Sequence, residues 1–368
     1  MNSNLNLRLE NCINRVGNLA FVSKIDLMKR YGQVPLTDQA EEMSALVTPH
    51  ALFQFFGIPA NLLTIVILSR GNCGLSKCIS IYMVAMGTAD LMVMIFNIVM
   101  NRILRYHLPP PFMSYTIVCK FVLSIQCVAL YVSMWFTVLF TFDRFVAICC
   151  EKFKKKYCTV RTAAAVITMV SVLTCSHSLI FWFAYEPERM VNNVHWGCRS
   201  RAEFLSSPAG VLWSWLQYLF ITWVPFALIL LFNCLTVRRI ILASITRRRL
   251  GGHSHKNQSD PEMKNRRKSI ILLFSVSGSF ILLWLTTVVS FITTRLTSTV
   301  HYRGNLAAPA YIAVETGYML MYLSSCTNTC IYAATQTKFR EELKTLVKTP
   351  WIAIANKTFP VSCPKIHL

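Results

Sequence analysis

Residues Cys119 to Cys150 read CKFVLSIQCVALYVSMWFTVLFTFDRFVAICC, an apolar run that opens on a cysteine and closes on Phe142-Asp143-Arg144-Phe145-Val146-Ala147-Ile148. At about 1.5 Å of rise per residue it forms a helix about 45 Å long, more than the ~30 Å hydrocarbon core of a bilayer. It reads as a tilted membrane-spanning rod. After Lys120 its only charged pair, Asp143-Arg144, lies at the far end, where it reaches the water interface without crossing the hydrocarbon centre. An ionisable group within a membrane span costs about 2.5 to 3.5 kcal/mol on insertion scales, so the pair is a functional candidate. A lone arginine at a helix end can simply snorkel; this one has an acidic neighbour.

Working outward, the chain has 368 residues, 54% hydrophobic and 14% charged, with a positive mean hydropathy. That balance belongs to an integral membrane protein. Apolar windows fall at Ala51–Leu68, Ile79–Met100, Ile117–Ile148, Ala163–Tyr185, Val211–Ile241, Ile270–Thr294 and Ala308–Ala334, which predicts seven spans. An odd number puts the termini on opposite sides. Lys152, Lys154, Lys155, Lys156 and Arg161 follow the third span, and Arg247, Arg248, Arg249, Arg266, Arg267 and Lys268 are among the bases between the fifth and sixth. By the positive-inside rule these loops are cytoplasmic and the amino terminus is extracellular. The layout is an extracellular tail over 1–48, a seven-helix bundle over 49–335, and a cytoplasmic amphipathic helix and tail over 336–368. The formal charge of +21 sits almost wholly on one face. Anionic inner-leaflet lipid and an acidic partner protein account for it better than nucleic acid does.

Of the fourteen cysteines, this topology leaves only Cys12, Cys119 and Cys198 on the oxidising side. Cys119 opens the third span and Cys198 precedes the fifth, so a bridge between them is geometrically natural; Cys12 is unassigned. Residues 1–48 contain no apolar core of a cleavable signal peptide. In the first span, Gly57-Ile58-Pro59-Ala60-Asn61 sets a buried asparagine, in need of a partner, near a carbonyl freed by proline. Asp90 is the one acid of the second span and must be protonated, paired or sharing a cation. Pro225 interrupts the fifth span, Trp284 lies in the sixth, and Asn328-Thr329-Cys330-Ile331-Tyr332 closes the seventh. Lys338-Phe339-Arg340-Glu341-Glu342-Leu343 alternates as a short amphipathic helix does.

In this order and spacing, Asn61, Asp90, Cys119, Asp143-Arg144-Phe145, Cys198, Pro225, Trp284 and Asn328 to Tyr332 carry a resemblance. Over roughly Phe53 to Leu346 the chain looks like a class A, rhodopsin-like G-protein-coupled receptor, an all-α seven-transmembrane bundle with a short eighth helix. The resemblance implies no enzymatic activity, a plasma-membrane location and a heterotrimeric G protein as partner. It gives Asp143 and Arg144 the role of a switch that receives the G-protein tail when the sixth helix swings out, with Phe145, Asn233, Trp284, Asn328 and Tyr332 coupled to it. It also implies a sodium ion, as an allosteric modulator, shared by Asp90, Ser133, Ser324 and Asn328, with Ser325 nearby.

The chain departs from the family in several places. Phe145 replaces a tyrosine, Leu283-Trp284-Leu285-Thr286 lacks a proline, Asn328 to Tyr332 lacks another, Glu151 stands where a proline begins the second inner loop, and Asn233 replaces a tyrosine. A pivot of the sixth helix near Gly278 would stand in for the missing kink. These departures resemble a small orphan branch that responds to aromatic amino acids or short peptides and couples mainly to the Gq class.

The ligand cavity is expected at the outer side between helices 3, 5, 6 and 7. Helical spacing assigns to it Gln126, Leu130 and Tyr131; Gln217, Tyr218 and Ile221; Trp284, Val288 and Phe291; and Glu315, Tyr318 and Tyr322. Monoamine receptors carry an aspartate where this chain has Gln126, and no lysine of the seventh helix is placed to hold retinal, so amine-only ligands and opsin chemistry are disfavoured. Glu315, a carboxylate one turn inside the outer edge, must bind a ligand amine or pair with a base such as Arg295.

A channel or transporter would show repeats or charge rings, and an intramembrane enzyme a paired acid or a metal set; neither is visible. A receptor-shaped decoy or dimer partner remains the alternative, favoured by the missing prolines and Asn233. Thr345, Thr349, Thr358 and Ser362 are the few phosphorylation candidates of the tail, so arrestin recruitment is expected to be modest.

Overall fold

Buried in lipid, a backbone must satisfy its own hydrogen bonds, which continuous helices do. The structure, a computed structural model, describes residues 38–71, 73–104, 112, 115–191, 193–201, 203–204, 207–250, 261–296 and 309–346. Among them seven long helices run in the expected order. They are α1 (Asp38–Ser69), α2 (Lys77–Met92, continued as a wider π-type turn over Val93–Leu104), α3 (Thr116–Cys149), α4 (Val160–Ser178), α5 (Pro208–Tyr218, a π segment Leu219–Trp223, then Val224–Leu250), α6 (Pro261–Leu296) and α7 (Pro309–Thr335). The stretches Lys77–Met100, Thr116–Cys149, Val160–Ala184, Pro208–Thr246 and Arg266–Ser290 are each long and apolar enough to cross a membrane; the apolar part of α1, Phe55–Ser69, is shorter. α1 begins at Asp38, eleven residues ahead of the bundle boundary expected at residue 49.

The helix starts follow from local chemistry. Ser76, Thr159 and Ser207 sit in extended conformation and their side-chain oxygens accept the backbone N–H of Ile79, Thr162 and Gly210. These caps satisfy donors that each first turn leaves orphaned, and Pro208 follows Ser207 where a missing N–H costs nothing.

Packing falls into two main clusters. One, at the Arg144 end, joins Ile67, Tyr82, Met86, Phe136, Phe140, Leu272, Val276, Tyr332 and Phe339. The other, towards the disulfide end, joins Met94, Ile98, Ala129, Val138, Ile229, Phe280, Trp284 and Tyr322. Where α6 meets α7, a β-carbon on Gly317 would lie 3.0 Å from the Thr287 hydroxyl, and that hydroxyl donates to the Gly317 carbonyl oxygen at 2.7 Å. Absence of a side chain lets the two backbones close up, a common device of membrane helices.

Residues 337–346 form the amphipathic helix, α8. Its Phe339 is fully buried and meets Tyr332 edge-on at 5.9 Å, so the apolar face expected from the alternation docks on the base of α7. Cys12, Arg295 and residues 347–368 lie outside what is described in side-chain detail.

Candidate functional site

At one end of the bundle, the sequence Asp143-Arg144 on α3 becomes a buried pair. Asp143 is 0% and Arg144 4% exposed. The guanidinium donates through Nε to Asp143 Oδ2 at 3.0 Å and through Nη2 to the same oxygen. From α2 the Cys78 thiol donates to Asp143 Oδ1 at 3.3 Å, and from α6 Ser269 Oγ accepts Arg144 Nη1 at 3.4 Å. The pair therefore ties three helices together. Burial, followed by the Asp143 charge, pushes the Cys158 thiol up to about 12. The sulfur thus keeps its proton, which it offers to the Asp143 carbonyl oxygen at 3.8 Å. Neither Cys78 nor Ser269 was legible as part of the site, because a cysteine among apolar residues reads as packing.

Around the pair lies a ring of aromatics. Phe145 stacks on Phe232 of α5 at 5.7 Å, and Phe142 meets Phe232 at 5.0 Å and Tyr157 at 5.2 Å. Asn233, where the family has a tyrosine, is 8% exposed, and Ser277 of α6 donates to its Oδ1 at 3.0 Å. This is a direct α5–α6 clasp. Gly278, the expected pivot, faces open space, and α6 runs unbroken past Trp284, as a helix without a proline there does.

Midway along the bundle, Asp90 is 2% exposed. Ser133 Oγ donates to its Oδ1 at 2.6 Å and Asn328 Nδ2 to its Oδ2 at 2.8 Å. Ser324 and Ser325 of α7, both expected near the acid, are both buried. Among the described residues no lysine or arginine pairs with Asp90. Asn61 Nδ2 donates to Gly57 O at 3.0 Å and to Ser325 O at 2.9 Å, giving the buried amide the interhelical partner it needed. Thr64 and Thr329 hydroxyls bond at 2.8 Å alongside.

The opposite end is closed by the disulfide Cys119–Cys198, with Cα atoms 6.1 Å apart. The connection after α4 folds as two short antiparallel pairings, β1 (Tyr185–Glu186) with β4 (Arg199–Ser200) and β2 (Arg189–Val191) with β3 (Val194–Trp196). Asn193 turns the inner hairpin at φ 61°. Trp196 packs at a tilt on Tyr115 at 5.1 Å, and Thr116 Oγ1 donates to Gly197 O at 2.7 Å, so the end of the hairpin is pinned beside the bridge.

The expected cavity residues divide. Trp284 is 4% exposed and stacks on Phe280 at 5.0 Å; Val288 and Glu315 are each 9% exposed; Tyr318 and Tyr322 stack at 6.4 Å. Leu130 and Ile221 join the packing around Trp284. Gln126 points to α2, where its Nε2 donates to Phe96 O at 3.0 Å. Tyr131 turns towards α4, with its ring 5.5 Å from His177, and Gln217 is the polar side chain facing it. Tyr218 lines a shallow groove of about 180 Å³ with Leu212, Trp215, Leu216, Leu219 and Trp223. Trp215 and Trp223 are 45% and 47% exposed, so this groove opens on the outside of α5, and Tyr218 stands half-buried at its edge. The π segment at Leu219–Trp223 changes the rotation of α5 there. The side chain of Phe291 falls outside the described residues.

A multi-pass helical bundle with a buried Asp-Arg couple at one end, a polar centre and a disulfide-bridged hairpin at the other has the build of a membrane signalling receptor. The sequence model of the family described as 7 transmembrane receptor (rhodopsin family) matches residues 60–332, well over half of the chain, and the chain belongs to that family. Its members are non-enzymatic receptors that answer extracellular ligands and act on G proteins.

Proposed function

We propose that the protein is a plasma-membrane receptor, amino terminus outside, that binds an amino acid or short peptide between α3, α5, α6 and α7 and activates a heterotrimeric G protein of the Gq class. The observation that carries the ligand class is Glu315. It is a buried carboxylate on α7 within one turn of Tyr318, suited to an ammonium group whose side chain packs on aromatic rings. Cells bearing the chain should raise calcium in answer to one member of an amino-acid and short-peptide panel. Glu315→Gln at equal surface level should weaken that potency by about tenfold to a hundredfold, the loss of one buried charge-assisted bond. Unchanged potency would remove Glu315, and the amine it is taken to hold, from the reading.

The unbroken α6 favours one second reading, a receptor-shaped partner that does not couple by itself; it predicts no nucleotide exchange under any ligand. Arrestin contact through the tail is a lesser proposal on the same scheme, read out as recruitment to the stimulated receptor.

We also assign Asp90, Ser133 and Asn328, with Ser324 and Ser325 buried beside them, as the residues that would hold a sodium ion, since they offer hard oxygen donors around an acid that has no basic partner among the described residues. Such an ion would neutralise Asp90 and favour the packed, inactive bundle. Replacing sodium by a bulky organic cation should raise basal signalling in the native chain and leave Asp90→Asn unmoved. Equal responses in both would refute the assignment.

A further inference from the structure

We propose that the short helix Glu151–Tyr157, between α3 and α4, is a binding site for an anionic phospholipid headgroup, of the polyphosphorylated inositol class. Lys152, Lys154, Lys155 and Lys156 are all exposed on this single helix, and Arg161 is exposed in the first turn of α4. A run of lysines is ordinarily a solvated face. Here Phe153 stands in the middle of it, 67% exposed, and water gives a phenyl ring no reason to be there.

Two features favour lipid over an acidic protein. The helix ends at Tyr157, three residues before α4 begins at Val160, so the lysines lie at the level where the span enters the membrane. Val160 is 44% exposed, and Ala164 and Ala165 one turn further on are exposed as well, so the basic patch runs into a lipid-facing strip. Phosphates can then sit among the ammonium groups while Phe153 and the α4 strip take the glycerol and acyl region, an interfacial arrangement that needs no further groove. The charge is reinforced from behind, because Arg266 of α6 donates to Ile148 O at 3.3 Å and both it and Arg239 of α5 lie within electrostatic reach of Cys149.

The site would bear on the switch. Tyr157, the last residue of the helix, meets Phe142 edge-on at 5.2 Å, next in sequence to Asp143. Lipid held by the lysines would press this helix onto α3.

The proposal rests on the reading of this end as cytoplasmic, so the test should not depend on sidedness. The full chain is reconstituted in phosphatidylcholine nanodiscs, which expose both leaflets, doped with dye-labelled phosphatidylinositol bisphosphate. Energy transfer from a label at the helix reports occupancy. Replacing Lys152, Lys154, Lys155 and Lys156 together by glutamine should weaken occupancy by about six-hundredfold, each lysine near an anionic surface contributing roughly a factor of five. Phe153→Ala should weaken the lipid but leave competition by soluble inositol phosphate unchanged. A control variant, Lys338→Gln with Lys344→Gln on α8, should bind as the native chain does, and thermal melting checks that all variants fold. Equal losses in patch and control variants would overturn the proposal. Unchanged lipid occupancy with impaired G-protein coupling would overturn it too, and assign the patch to the protein partner. Accessibility of a tag in this loop on intact cells tests the sidedness separately.

Discussion

Arg144→Ala should abolish G-protein signalling to the level of cells without the receptor, at a surface density still measurable by an amino-terminal tag. The guanidinium is buried, and its three hydrogen bonds end on Asp143 and Ser269, so in the packed state it holds α3 to α6. On the proposed function, departure of α6 would free the same group to face the partner. Removing it also strands a carboxylate that is 0% exposed, with the Cys78 thiol as its remaining side-chain donor. Loss of one member of a buried pair costs about 3 to 5 kcal/mol, so a lower expression level is expected as well. The conservative comparison is Asp143→Asn, which keeps the volume and removes the charge. Weakening a charge-assisted bond of about 1.5 to 3 kcal/mol shifts a two-state equilibrium by about tenfold to a hundredfold. Basal signalling should therefore rise in Asp143→Asn while it vanishes in Arg144→Ala. If both variants signal as the native chain does, the pair is only structural.

The second large effect is expected from Cys198→Ser. The bridge joins residues 79 apart and fixes the connection after α4 to the first turn of α3. Losing such a link costs about 2 to 5 kcal/mol, chiefly by freeing the unfolded chain. Against that stand the Tyr115–Trp196 ring contact and the Thr116–Gly197 hydrogen bond, each worth about 1 kcal/mol, too little to hold the hairpin in register. Surface expression and ligand response should both collapse, and Cys119→Ser with Cys198→Ser should be no worse than either alone. Flow cytometry of the tagged chain, with melting of the purified protein, reads both. Additive losses in the double variant would mean that each cysteine does something besides bridging.

Much of this architecture is legible in the chain because lipid makes severe demands. Only long apolar helices satisfy the backbone, so seven windows become seven helices, and isolated polar residues such as Asn61 and Asp90 must find partners inside the bundle. The Asp143-Arg144 pair and the Cys119–Cys198 bridge stood out for the same reason. What escaped is what apolar patterning leaves free. The π segments at Val93–Leu104 and Leu219–Trp223 rotate α2 and α5 without changing composition. The β2–β3 hairpin had a signal that could have been read, Asn193 at its turn, since asparagine tolerates positive φ. Cys78, Ser269 and Ser277 had none: small polar side chains in spans are common, and only the fold shows which of them meet.

The most direct test of the central claim is guanine-nucleotide exchange, with the purified chain mixed in nanodiscs with each class of G-protein alpha subunit, with and without the amino-acid and peptide panel. The account predicts faster exchange on at least one class, greatest for Gq, and none with Arg144→Ala. No acceleration on any class, with native and Arg144→Ala chains indistinguishable under every ligand, would contradict it.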